Sequence, residues 1–153
     1  MTQIVRIDSL ERALECAQRL DQAVVATLAE IRHESPGEGA AARFLERAFD
    51  EAETVLLIAK EGEAETGICL TGAWTEPFSG ERLAAVLALH VDADLRHRGI
   101  ARALIAAAQE ALAERGVGRL GARIEHNDDA RISMGERWGW TRAWEWMDSG
   151  PRD

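Results

Sequence analysis

Leu89-His90-Val91-Asp92-Ala93-Asp94-Leu95-Arg96-His97-Arg98-Gly99-Ile100-Ala101 passes from a strand through a polar turn into a helix. Its first three residues close an apolar run of strand type. Asp92 to Asp94 make a polar turn, and from Ile100 the spacing of Ile100, Leu104, Ala108, Ala111 and Leu112 is that of an amphipathic helix. The first turn of a helix leaves backbone N–H groups unpaired and carries partial positive charge, so an anion is bound well there. Arg98, Gly99, Ile100 and Ala101 supply those donors. Gly99 and Ala101 are small enough to let a pyrophosphate approach, and Arg96, Arg98 and Arg102 add charge at the rim. Spacing alone leaves a second reading, an ordinary solvated helix start flanked by arginines.

Outward from this segment the pattern is consistent. Upstream, residues 54–60, 66–74 and 82–91 read as strands joined by the turns Glu61-Gly62-Glu63 and Thr75 to Gly80, which makes a meander. Before them, residues 3–7 form a short strand, and Asp8 or Ser9 caps a helix, with Glu11 placed to complete a capping box on Asp8. The helical spacing from Leu10 to Ile31 is interrupted at Asp21, so one long helix or two short ones fit, and residues 40–51 are helical again. Downstream, Gly116 closes the helix as a left-handed cap, and Leu120, Ala122 and Ile124 alternate as a strand. Asn127 or Asp128 caps a last helix that stops at Gly139, and residues 141–147 form a final strand. A meander followed by a strand-helix-strand unit predicts an α/β (α+β) domain. Its mixed, mostly antiparallel sheet has six to seven strands and helices on both faces.

The 153 residues, 46% of them hydrophobic, suit one domain over 1–153 with one core. No apolar run reaches the roughly 20 residues that span a bilayer, and the N-terminus lacks a signal peptide's apolar centre, so a cytoplasmic protein without membrane association is expected. The net charge of −9 repels nucleic acid and leans toward a cationic substrate. Cys16 and Cys69 have no companion ligand set, so reduced buried thiols are expected rather than a disulfide or a metal site.

Arg96-x-x-Gly99-x-Ala101, five residues after the strand residue Val91, resembles the acetyl-CoA signature Q/R-x-x-G-x-G/A of the GNAT acyltransferase superfamily. Ile132 to Trp140 is similar to that family's last helix, which ends in a glycine-aromatic pair, here Gly139-Trp140. The resemblance implies the GNAT fold and acyl transfer from acetyl-CoA, as co-substrate and without a metal, to an amine of a small molecule or peptide, by direct attack in a ternary complex. It implies that Leu89, His90 and Val91 line the pantetheine arm, with a strand amide polarising the thioester carbonyl. Arg96, His97, Arg98, Gly99, Ile100, Ala101 and Arg102 then hold the pyrophosphate. Asn127 or Asp128 touches the coenzyme arm from the last helix.

The chain departs from the family where the chemistry is done. Gly135 stands where many members have a tyrosine that protonates the leaving thiolate, and tyrosine is absent from the whole chain. Ala85 and Leu87 stand where the coenzyme strand carries a base. Strand alternation sets His90 on the opposite face from both. Glu125 and His126, at a strand end, are the remaining candidates for orienting or deprotonating an amine. Glu34 and Glu38 border the loop that covers the acceptor in such folds. Trp144 and Trp146 share one face of the final strand, with Trp140 on the same parity, which suits core or interface packing; because that strand lies near an edge, a homodimer covering Trp144 or Trp146 is expected. The missing acid and base support a second reading, a catalytically degenerate acyl-CoA-binding sensor or interaction module. A nucleotide-binding regulatory domain is disfavoured, since the chain has neither G-x-G-x-x-G nor a Walker lysine.

Overall fold

The computed structural model describes residues 1–31, 37–124 and 128–143, without the side chains of 27–31. The chain forms two compact units, Met1–Arg123 and Ile124–Asp153. In the first, five strands lie in the order β1 (Thr2–Arg6), β2 (Leu56–Glu61), β3 (Ala64–Thr75), β4 (Arg82–Val91), β5 (Leu120–Ala122). Neighbours are antiparallel except β4 and β5, which pair in parallel across the crossover helix α4 (Ile100–Glu114). The described strands number five rather than six to seven. Residues 141–143 are not strand, and the rest of the expected final strand, with Trp144 and Trp146, lies outside the described residues.

Alternation along the central strands sorts their side chains onto two covered faces. Leu56, Ile58, Ile68, Leu70 and Ala88 point to one face. There they pack with Ala13 of α1 (Leu10–Glu15), Ala17, Leu20 and Ala23 of α2 (Ala17–Ile31), and Ala41 and Leu45 of α3 (Ala40–Ala48). Burying each leucine or isoleucine stabilises the domain by about 1.5–3 kcal/mol. The other face carries α4, whose buried Ile100 and Leu104 sit over Gly67. A methyl at Gly67 would meet the His90 carbonyl oxygen at 3.1 Å and Leu104 Cδ1 at 3.2 Å, so glycine lets α4 lie close to the sheet. Cys69 is fully buried, which pushes its thiol up to about 12 and leaves it inert.

The N-terminal helices correct one expectation and decide between two alternatives in another. The break falls at Cys16, not Asp21, and Ser9 is the cap, its hydroxyl accepting from Arg12 N–H, while Asp8 pairs with Arg6. Asp21 has a different role. From α2 its carboxylate accepts the N–H groups of Gly39 and Ala41 at 3.0 and 2.9 Å, capping α3, whose own N-cap glycine has no side chain to do so. Among the described residues no helix is long and apolar enough to cross a membrane.

In the second unit, α5 (Asp129–Arg137) ends in a six-residue capping motif. Trp140 N–H donates to the Gly135 carbonyl and Gly139 N–H to the Glu136 carbonyl, both at 3.0 Å, with Gly139 left-handed at φ 84°. The glycine-aromatic pair is therefore a helix stop: only glycine adopts this φ cheaply, and the aromatic residue follows it. The same motif closes α4 through Gly116 and Val117 onto Ala113 and Leu112.

Candidate functional site

β4 changes partners along its length. Ala84, Ala85 and Val86 pair with Leu120, Gly121 and Ala122 of β5, and among the described residues the pairing stops there. At the same level the ladder to β3 slips: Leu70 faces Ala88 and Thr71 faces Val86, so Leu87 is an extra residue, a β-bulge. A bulge bends its strand and adds local twist. The Asp92 N–H donates to the Thr66 carbonyl at 3.0 Å and fixes the phase of the remaining ladder. His90 therefore exchanges its backbone bonds with Ile68, and Leu89 and Val91 turn theirs away from β3, toward the β5 side.

The bulge also corrects the placement of His90. Counting by twos sets it opposite Ala85 and Leu87. The extra residue restores the phase, and His90 shares with both the face that carries α1 to α3. Two contacts fix this: His90 is opposite the core residue Ile68, and Ala85 is opposite Gly72, over which Leu87 lies.

After Val91 the chain makes a short 3₁₀ turn, Ala93–Leu95, and an extended residue, Arg96, before α4 begins. His97 is left-handed at φ 67°, and so is Gly99 at φ 82°. Two left-handed residues in three coil the backbone into a concavity lined by N–H groups, the type of turn that binds anions. His97 is the only non-glycine with positive φ among the described residues, and such a conformation costs energy that the fold must supply. Arg96 donates from Nε to the Val91 carbonyl at 3.3 Å. Arg98 lies 3.7 Å from Glu61, and Arg96, His97, Arg98 and Arg102 are all exposed around the helix start. A Cβ built on Gly99 has nothing within 4 Å, so space lies open in front of the unpaired N–H groups of Ile100 and Ala101.

The structure thus brings Leu89, Val91, Arg96, His97, Arg98, Gly99, Ile100, Ala101 and Arg102 together at one end of β4 and the start of α4. In the second unit Asp128 is the N-cap of α5, its carboxylate accepting from the Arg131 N–H at 3.1 Å and from the Arg131 guanidinium. Glu34, Glu125, His126 and Asn127 lie outside the described residues. Ala85, Leu87 and Gly135 carry no titratable group. The bulge at Leu87 and the left-handed His97 were not foreseen; neither residue type signals it.

Residues 19–140 match the model of the acetyltransferase (GNAT) family. No curated protein matches the chain by sequence. Among solved structures it is similar to the ribosomal-protein-alanine N-acetyltransferase of Brucella melitensis biovar Abortus 2308, with 22% identity, a TM-score of 0.67, and 99% of each chain covered. It is also similar to a predicted acetyltransferase with acetyl-CoA from Clostridium acetobutylicum, with 13% identity and a TM-score of 0.75 over 98% of this chain and 96% of that one. A third is an aminoglycoside acetyltransferase from an uncultured soil metagenomic sample in complex with sisomicin, with 17% identity and a TM-score of 0.72 over 99% of this chain and 95% of that one. At these identities the likeness establishes the fold.

Proposed function

Because the chain belongs to the acetyltransferase (GNAT) family, we propose that it moves an acetyl group from acetyl-CoA to the amine of a small molecule or peptide. The observation that carries this reading is the continuity of two features. The open side of β4 at Leu89 and Val91 runs directly into the left-handed loop and helix start at His97 to Ala101. An extended arm fits the first, and a pyrophosphate fits the second, where Gly99 leaves space over the backbone. Acetyl-CoA supplies an activated acyl group as a thioester.

The chain's own part is positioning and electrostatics. Leu89 and Val91 present N–H groups to the slot, and one of them, aimed at the carbonyl oxygen, stabilises the negative charge that develops there as the amine attacks. Arg96, Arg98 and Arg102 neutralise the diphosphate. Holding both reactants in one geometry supplies much of the rate, and an amine that arrives neutral needs little base help. The named similarity to an aminoglycoside acetyltransferase and to a ribosomal-protein-alanine N-acetyltransferase supports an amine acceptor. We place the protein in the cytoplasm and expect a homodimer.

Ala85, Leu87 and Gly135 favour a second reading, binding of acyl-CoA without turnover. Thiol release from acetyl-CoA in the presence of amine pools separates the two. Amine-dependent release supports the enzyme; tight binding with no release across the pools supports the sensor.

A further inference from the structure

On the sheet face opposite α4, beside α1 to α3, large apolar side chains are partly exposed where β4 bulges. Leu87 is the extra residue of the bulge and is 44% exposed; Trp74, on the same face of β3, is 39% exposed. Between them lies Gly72. A methyl there would fall 2.6 Å from Leu87 Cδ1 and 2.7 Å from Phe44 Cζ, so both side chains close over bare backbone. Phe44, Leu87 and Trp74 thus make one wall, and Leu87 is two residues, roughly 7 Å, from Leu89, whose N–H turns into the slot. At the wall's rim the Arg47 guanidinium stands 5.9 Å from the centre of the Phe44 ring.

We propose that this wall holds the acceptor, and that the acceptor is a primary monoamine carried on an apolar, preferably aromatic, body. The inference rests on the acyl-transfer reading and narrows its substrate class. The wall lies on the sheet face opposite α4, beside α3 and two residues along β4 from Leu89, so an acceptor seated on it would lie next to the coenzyme slot. An aromatic body buries the exposed parts of Leu87 and Trp74 and packs edge or face against Phe44. A polycation is disfavoured by Arg47 and by the apolar surface it would have to desolvate. The same two features, apolar surroundings and a nearby cation, favour the neutral form of an amine. They do by environment what a base at Ala85 or Leu87 would do by proton transfer. In the reaction the nitrogen lone pair forms the C–N bond, the C–S bond breaks with its electron pair on sulfur, and the nitrogen's proton passes through water to the released thiolate.

The test compares initial rates of thiol release at saturating acetyl-CoA with phenethylamine, spermidine and sisomicin, in wild type and Leu87→Glu, with acetyl-CoA affinity measured in both by calorimetry. Leu87 is 44% exposed and lies outside the buried core, so the substitution leaves that core intact. Phenethylamine should lead in kcat/KM by about tenfold or more, the scale on which apolar pockets discriminate. Leu87→Glu should lower it by a similar factor and raise spermidine, with acetyl-CoA affinity unchanged. Preference for spermidine or sisomicin in wild type, or a ranking indifferent to Leu87→Glu, overturns the inference while acyl transfer stands. Bound acetyl-CoA with no release from any of the three amines overturns the acyl-transfer reading, and the inference falls with it.

Discussion

Arg96 reaches back from the loop to the strand that precedes it, its Nε donating to the Val91 carbonyl at 3.3 Å. One arginine thereby ties the end of β4 to the start of the left-handed loop that we propose binds the diphosphate, and it brings charge to that loop. Arg96→Ala should keep the fold and weaken acetyl-CoA binding by roughly tenfold or more, the scale of a hydrogen bond to a charged group. Arg96→Lys, which keeps charge but not the planar fork, should fall between. Calorimetric titration of the three proteins checks the order; equal affinities would detach Arg96 from the site.

His97 is left-handed at φ 67° with a side chain that makes this conformation costly. His97→Gly should raise stability by up to about 1 kcal/mol, and His97→Val should lower it by at least as much, because a β-branched residue tolerates positive φ least. Urea midpoints read both. If valine is tolerated as well as glycine, the turn is not left-handed in solution.

Glu53 and Arg82 form a two-pronged pair, 2.7 Å from Nε to Oε1 and 2.8 Å from the second guanidinium nitrogen to Oε2. Hydrogen bonding to Arg82 holds the Glu53 carboxyl below its ordinary value, against the opposing effect of burial. A depressed carboxylate contributes stability that is present above its unfolded value and is lost as the pH falls through its folded value. Glu53→Gln should therefore be less stable than wild type at neutral pH, and the gap should narrow in acid, as the pH falls below the usual carboxylate range. Urea midpoints at neutral and acid pH test this, and a gap independent of pH contradicts it.

Gly135 lies inside α5, where a Cβ would have only the Trp140 Cβ nearby, at 3.9 Å. Gly135→Ala should stabilise the helix by about 1 kcal/mol. Gly135→Tyr should keep the fold and change turnover, because general acid help is worth roughly 10²–10⁴-fold. A tyrosine variant with wild-type affinity for acetyl-CoA and the wild-type rate across amines would remove Gly135 from the reacting centre.

Much of this was legible in the sequence, and the exceptions have physical causes. The strand 82–91, the helix beginning at Ile100 and its stop at Gly116 follow from periodicity and glycine, signals that are local. The bulge at Leu87 is set by how β3 and β4 register against each other, and that is a property of the pair. Missing it misplaced His90 by one face. Asp21 looked like a helix breaker because its use, capping a helix nearly twenty residues on, is a tertiary contact. The left-handed turn at His97 was hidden for the same reason: the fold imposes it against the residue's own preference.

Titration of acetyl-CoA into wild type and Gly99→Glu decides whether the turn at His97 to Ala101 binds the diphosphate as proposed. Gly99 is left-handed, with open space over its Cα where a diphosphate would sit. A glutamate there fills that space with a carboxylate and opposes the backbone conformation. Wild type should bind, and a variant that remains folded by circular dichroism should give no measurable heat of binding. A folded Gly99→Glu protein with wild-type affinity would contradict the account.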